Sequence, residues 1–276
     1  MSIIKKIIHV SDIHIRNFQR FEEYTEQLLS FIEKCKKICD GYSSDEIRIV
    51  ICGDLFQSKN TISPELFSFS STFIRQLEEI ATVYVIAGNH DIAENNLSRK
   101  DAITALFETA SFNNTYLLDR ELDYHSGCIV DNNVTWALYS IYDNFLPPNI
   151  IETKIANGDN TIIGLYHGMI VGSKMDNGTV SDSGLSTDEF VDCDFVMCGH
   201  IHKFQELKKN GVPIVYSSSL IQQNFGETIT QHGFCVWDVE TKKYEFIDVE
   251  TNYGLYDIEI NSIDDIDEDK EILLNL

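Results

Sequence analysis

Five short clusters hold most of the reactive side chains: Asp12-Ile13-His14, Gly53-Asp54, Gly88-Asn89-His90-Asp91, His167-Gly168 and Gly199-His200-Ile201-His202. They contain five of the eight histidines. Imidazole, carboxylate and amide oxygen are ligands for borderline divalent ions such as manganese, iron or zinc. No cysteine belongs to any cluster, so the site is not selected by thiolates. Taken singly, the clusters have plainer readings. Gly-Asp is ordinary turn chemistry, Asp-x-His can cap a helix, and His-x-His can be one face of a strand. Asn-His-Asp behind one buried strand is harder to explain as a turn. Together, behind five strands, they read as a metal site. One carboxylate shared by two ions holds them about 3.5–4 Å apart, a separation that clamps a phosphoryl group and activates water near neutral pH. Chain order does not say which residue bridges.

The elements that must position these clusters follow from hydrophobic patterning. Ile7–Val10, Ile47–Cys52 and Thr82–Ala87 are apolar, β-branched runs that end at Asp12, Asp54 and Asn89. Helices are predicted between them, over about Arg20–Cys39 and from Pro64 to about Glu79, with proline in the first turn. Such strand–loop–helix units build parallel, buried strands whose carboxyl ends collect functional residues. The second half is richer in strands. A hairpin is predicted from Tyr124–Val130 and Val134–Ile141. Further strands are predicted at Thr161–Tyr166, Phe195–Cys198, Ile214–Tyr216, Gly233–Val239 and Tyr244–Val249. The expected fold class is α/β: two β-sheets packed face to face with helices outside. One domain over 1–255 is expected, followed by an acidic tail over 256–276, either exposed or the start of a partner-binding segment.

The 276 residues suffice for one sizeable core, and 43% hydrophobic with 24% charged residues is ordinary for a globular protein. No apolar run is long enough to span a membrane, and the N-terminus, broken by Lys5 and Lys6, does not read as a secretion signal. A cytoplasmic protein is expected, or one of a nuclear or host-cell compartment, and not a secreted one. Seven cysteines, an odd number without zinc-site spacing, read as reduced fillers. The net charge of -23 sits poorly with a nucleic-acid binder.

In their order, the five clusters resemble those of the calcineurin-like metallophosphoesterase family, whose fold is a four-layer sandwich. His9 to Asn17, Gly53-Asp54-Leu55-Phe56 and Ser219 to Glu227 further resemble the SbcD-type DNA repair nucleases, in a short phage- or virus-like form. The resemblance implies that Asp12, His14, Asp54 and His202 hold one ion. It gives Asp54, Asn89, His167 and His200 the other, with Asp54 bridging and manganese as the expected metal. It makes His90 a non-ligating catalytic residue at the leaving oxygen, with Asp91 either orienting His90 or capping a turn. It also implies DNA as substrate, an SbcC-type coiled-coil ATPase as partner, and a homodimer.

The sequence departs from that pattern in places. Gln57 stands near a position often filled by a second histidine, and Ser218 where a turn glycine is usual, so a positive φ would strain it mildly. The chain also ends soon after the phosphoesterase core. Arg16, Lys59, Lys174 and Lys203 lie beside the clusters and are candidate DNA contacts, Arg20, Arg99 and Lys100 less closely. The main alternative is a phosphodiesterase or phosphatase for small or nucleotide substrates. A non-catalytic scaffold conflicts with the full ligand set.

Overall fold

Alternation along the first strand divides the molecule into layers. Ile8 and Val10 face a core shared with helices, while Ile7 faces a second core shared with another sheet. A computed structural model describes residues 2–93, 99–158, 160–175 and 178–256. The acidic tail expected over 256–276 lies, Tyr256 apart, outside the described residues.

The first half runs β1 (Lys6–Val10), α1 (Phe21–Cys39), β2 (Ile47–Cys52), α2 (Pro64–Glu78), β3 (Thr82–Ile86), α3 (Ala102–Thr109), β4 (Thr115–Leu117) and α4 (Leu118–Glu121). The second runs β5 (Gly127–Asp131), β6 (Val134–Tyr139), α5 (Ile150–Asn157), β7 (Thr161–His167), β8 (Phe195–Gly199), β9 (Gln205–Lys209), β10 (Val212–Tyr216), β11 (Gly233–Asp238) and β12 (Lys243–Asp248). The strands form two six-stranded sheets, ordered β12-β11-β1-β2-β3-β4 and β5-β6-β7-β8-β10-β9. β1 to β4 are mutually parallel, as are β6, β7, β8 and β10; antiparallel strands close the edges at β11–β12, β5 and β9. The two expected face-to-face sheets with outer helices are therefore present.

Three apolar layers hold this arrangement. Between the sheets, Val50, Ile86, Trp136, Leu165, Met197 and Trp237 pack together, with Phe195 stacked on Trp237 at a centroid distance of 4.2 Å. Outside the first sheet, α1 presents Tyr24, Leu28, Phe31, Ile32 and Cys35, a stripe at helical spacing. Glu22 and Glu23 open that helix and Lys36 and Lys37 close it, each matching the helix dipole. α2 starts where Ser63 accepts a hydrogen bond from the Leu66 amide ahead of Pro64. Outside the second sheet, Ile150 of α5 packs with Tyr139, Tyr166 and Phe190. All seven cysteines are free thiols, most of them buried.

Some elements differ from expectation. The first hairpin strand begins at Gly127, not Tyr124, because Asp123 and Tyr124 take left-handed φ values of 51° and 62° in the turn after α4. The short elements α3, β4 and α5 and the polar edge strand β9 were not anticipated. At the edge, β9 alternates half-buried and exposed residues along Gln-Glu-Leu-Lys-Lys, too polar to register as a strand. The carboxyl ends of β1, β2 and β3 reach the same edge of the sandwich as those of β7 and β8. That edge carries the five clusters.

Candidate active site

The first sheet supplies Asp12 and His14 after β1, Asp54 after β2, and Asn89 and His90 after β3. The second supplies His167 at the end of β7, and His200 and His202 after β8. Asp12, His14, Asp54 and His167 are buried. Asp12, His14, Asp54 and His200 all take left-handed backbone angles, with φ of 53°, 51°, 54° and 100°. Non-glycine residues adopt these angles at a cost, and such strain concentrates where function fixes the backbone. Gly53 is also left-handed at φ 83°, and a Cβ there would lie 2.3 Å from His167 Nδ1. Only glycine lets the β2 turn approach that imidazole.

Among the described residues, three overlapping sets place potential ligand atoms within 4.8 Å of one another: Asp12, His14 and His202; His14, Asp54 and His90; and Asp12, Asp54 and His167. The Nε2 atoms of His14 and His202 are 3.0 Å apart. Asp54 Oδ2 lies 3.4 Å from His14 Nε2 and 3.3 Å from His167 Nε2. Asn89 Oδ1 is 2.9 Å from His200 Nδ1 and 3.2 Å from His167 Nε2. The sequence-predicted metal set is thus gathered in one place.

For His167 and His202, hydrogen bonding at the far side of the ring fixes what faces inward. His167 Nδ1 lies 2.7 Å from the Cys52 carbonyl, which can only accept, so Nδ1 carries a proton and Nε2 is the nitrogen that faces Asp54, open to a second proton or a cation. His202 Nδ1 lies 2.7 Å from Glu227 Oε1, so its Nε2 presents a lone pair toward His14 and Asp12. Lone pairs and carboxylate oxygens therefore converge without enough donors between them. A divalent cation satisfies such a set, and the nitrogen and oxygen donors suit the manganese, iron and zinc class. The residues present fit the metal that the motifs imply.

The electrostatics agree. Burial pushes the Asp12 carboxyl up. It pushes His14 well below its ordinary value and His200 down to about 4, leaving both imidazoles in the neutral, ligating form. His167 runs the other way: against burial, the Asp54 charge raises it to about 10, and that pairing holds Asp54 well below the carboxylate range. A proton occupies that gap in the metal-free site, and a cation competes for the same position.

His90 lines a cavity of about 230 Å³ with Asp54, Asn89, His200 and His202. Its amide donates to Asp54 Oδ1 at 2.7 Å, and its Nδ1 lies 2.9 Å from the Gln57 carbonyl. The Gln57 backbone thus orients His90. Asp91 is engaged elsewhere: its buried carboxylate accepts from the amides of Leu55, Phe56 and Gly88. Burial and the nearby Asp54 charge push Asp91 up to about 7. It caps the loops carrying Asp54 and Asn89.

Arg16 is drawn inward, donating to the carbonyl and side chain of Gln223. Lys59 is half-buried and reaches the Asn89 carbonyl at 3.4 Å. Lys174 and Lys203 are exposed. Ser218 has φ 79°, as anticipated for a turn that usually holds glycine; its hydroxyl lies 2.8 Å from the His202 carbonyl. Sequence reading did not single out Glu227. Besides meeting His202, it accepts from the Gln223 amide and the Asn224 side chain. An acidic residue following a tight Asn-Phe-Gly turn was the available signal.

Residues 5–204 match the calcineurin-like phosphoesterase family. An uncharacterized protein of Acanthamoeba polyphaga mimivirus is 35% identical over 264 residues, which is 93% of this chain and 19% of that protein. The SbcD subunit of nuclease SbcCD from Staphylococcus saprophyticus is 26% identical over 290 residues, covering 97% of this chain and 75% of the relative. Exonuclease subunit 1 of Enterobacteria phage T4 is 26% identical over 204 residues, covering 73% and 56%. The chain thus spans about a fifth of the length of the mimivirus relative. With its paired sheets and the candidate metal-binding cluster at their common edge, it belongs to the calcineurin-like phosphoesterase family.

Proposed function

We propose that the chain is a metal-dependent nuclease subunit that hydrolyses phosphodiester bonds in DNA and works in repair or recombination with an SbcC-type coiled-coil ATPase. The observation that carries the hydrolytic part is the convergence of lone pairs and carboxylates from both sheets around Asp12 and Asp54. The nuclease part is supported by the likeness to the staphylococcal SbcCD nuclease over nearly the whole chain. Asp12, His14, Asp54 and His202 would hold one ion, and Asp54, Asn89, His167 and His200 the other, with manganese the expected metal. When bound, such a pair of ions supplies Lewis acidity toward phosphoryl oxygens and activates water near neutral pH.

The chain's own residues do the rest. Because the Gln57 carbonyl can only accept, Nδ1 of His90 keeps its proton there, and the proton His90 can pass on is the second one, which the ring takes up at Nε2. From there His90 donates to the departing oxygen. The Asp54–His90 amide bond keeps that donor in register with the ligand set. Asp91 holds the two loops rather than a proton in transit. Lys174 and Lys203, exposed beside the site, position backbone phosphates, while Arg16 and Lys59 act through the loops they tie. A homodimer is part of this reading. The net charge of -23 makes the isolated chain a weak DNA binder, with the ATPase supplying most of the affinity.

That same acidity favours a second reading, an esterase for small or nucleotide phosphodiesters. One experiment separates them: the manganese-loaded chain is given linear duplex DNA and, in parallel, bis-p-nitrophenyl phosphate, with His90→Ala as control. Cleavage of both substrates is expected, falling by about 10²–10⁴-fold in the variant. Cleavage of the small diester alone, persisting after the ATPase is added, overturns the nuclease reading.

A further inference from the structure

Beside the ligand cluster lies a second, larger cavity of about 610 Å³. Asn89, His167 and His200 form one wall, so it opens directly onto the proposed metal site. The opposite side is apolar and aromatic: Ile141, Tyr142, Phe145, Met169 and Leu185 all line it and are half-buried. Phe145 stands edge-on to the buried ring of Tyr166, with centroids 4.9 Å apart. Half-buried apolar side chains gathered next to a polar catalytic centre mark a ligand subsite more often than a structural core.

The backbone under this wall is strained. Asn144 and Phe145 both take left-handed angles, φ 59° and 60°. For a bulky aromatic residue this is an outlier, and two in succession require outside support. That support is present. The Phe145 amide donates to the Ser140 carbonyl, the Ser140 hydroxyl caps the short turn at Ile141–Asp143, and the same hydroxyl donates to Asp119 at 2.5 Å. Tyr142 is fixed by a hydrogen bond to Asp101. The turn holds Phe145 at the cavity in a strained conformation that these hydrogen bonds and the contact with Tyr166 maintain.

We infer that this cavity is a subsite for one unstacked nucleobase, that of the nucleotide whose phosphate lies at the Asp12–Asp54 cluster, with Phe145 and Tyr142 as its stacking surfaces. The inference rests on the nucleotide-diester reading of the site and names how the substrate is held. The occupant follows from position and chemistry. A phosphate at His167 and His200 carries its own nucleoside within reach of the cavity, and every base offers a π-face to an aromatic wall. No lysine or arginine among the described residues lines the cavity, so a further phosphate is not its ligand. At about 610 Å³ the cavity has the volume for a splayed-out base and not for a duplex. The nucleotide must therefore leave its stack, which is least costly at a frayed end or in single-stranded DNA.

The test is calorimetric titration of the manganese-loaded chain with thymidine 5′-monophosphate, and separately with methyl phosphate, which has the same anion and no base. The nucleotide should bind about tenfold more tightly. Phe145→Ala should erase that advantage and Phe145→Tyr should restore it. Leu185→Trp, which fills the cavity without touching the strained turn, should erase it independently. Equal affinities in the parent chain overturn the subsite, as does a Phe145→Ala variant that loses both ligands together or neither. Duplex cleavage by the parent chain is scored separately. A chain that discriminates the two ligands but leaves DNA intact even with the ATPase added keeps the subsite and loses the nuclease reading. A chain that cuts DNA yet does not discriminate loses only the subsite.

Discussion

At the scale of single residues, much of the chemistry is set by what stands behind each ligand. Glu227 is the clearest case. Its carboxylate fixes the His202 tautomer and is itself held by the Gln223 amide and Asn224. Groups in this position commonly change metal affinity by about 10–100-fold when removed. Glu227→Gln should therefore weaken manganese binding by about tenfold in a direct titration while leaving the fold intact. An unchanged titration would make the contact incidental. The candidate ligands themselves were readable from sequence because aspartate, asparagine and histidine seldom gather behind five apolar runs for structural reasons. Their supports were not. Two of the groups that fix ring orientation are main-chain carbonyls, of Cys52 and Gln57, and any residue type can offer one. Asp91 shows the converse limit: it belongs to the right motif, yet its oxygens serve amides of two loops.

Elements place these residues through close approach. Gly88 follows β3, and a Cβ there would lie 2.2 Å from Asp54 Oδ1 and 2.4 Å from the Asp54 amide. Gly88→Ala must therefore displace the carboxylate shared by both proposed ion sites. Diester hydrolysis should drop at least about a hundredfold, with a lower melting temperature as the β2 and β3 loops move apart. Wild-type rates in that variant would show that Asp54 does not need its present position. The long strands and α1 and α2 were legible because burial imposes period two or period 3.6 on them. The shorter elements were not. α3 and α5 have eight residues each, and β4 has three, too few for a period to show. Hairpin boundaries failed where Tyr124 took a left-handed angle, which β-favouring composition does not foretell.

For the whole molecule, the join between sheets is the critical feature, and Asp119 fastens it near the catalytic edge. One oxygen accepts from the Ala87 amide behind β3, and the other from Ser140 behind β6. Burial pushes this carboxyl up to about 6. The folded state then holds a proton that the unfolded chain releases near the ordinary value of 3.8. The contribution is therefore present below about pH 4 and lost as pH rises through about 6, on the order of 2–3 kcal/mol. Urea titrations across that window should show a falling term that Asp119→Asn removes, since a neutral amide has no proton to lose. Parallel slopes for the two proteins would place Asp119 outside the balance.

Asp12, His14, Asp54 and Asn89 stand in the first third of the chain, and His167, His200 and His202 in its second half. On the proposed assignments, neither ion has a complete set of ligands until both sheets exist and have met. A chain emerging from the ribosome amino end first has no competent metal site until residue 202 is out and β8 has docked. Loading with metal therefore waits on the second sheet. The ion, binding only the finished sandwich, acts as a late fastener that draws the folding equilibrium toward completion by mass action.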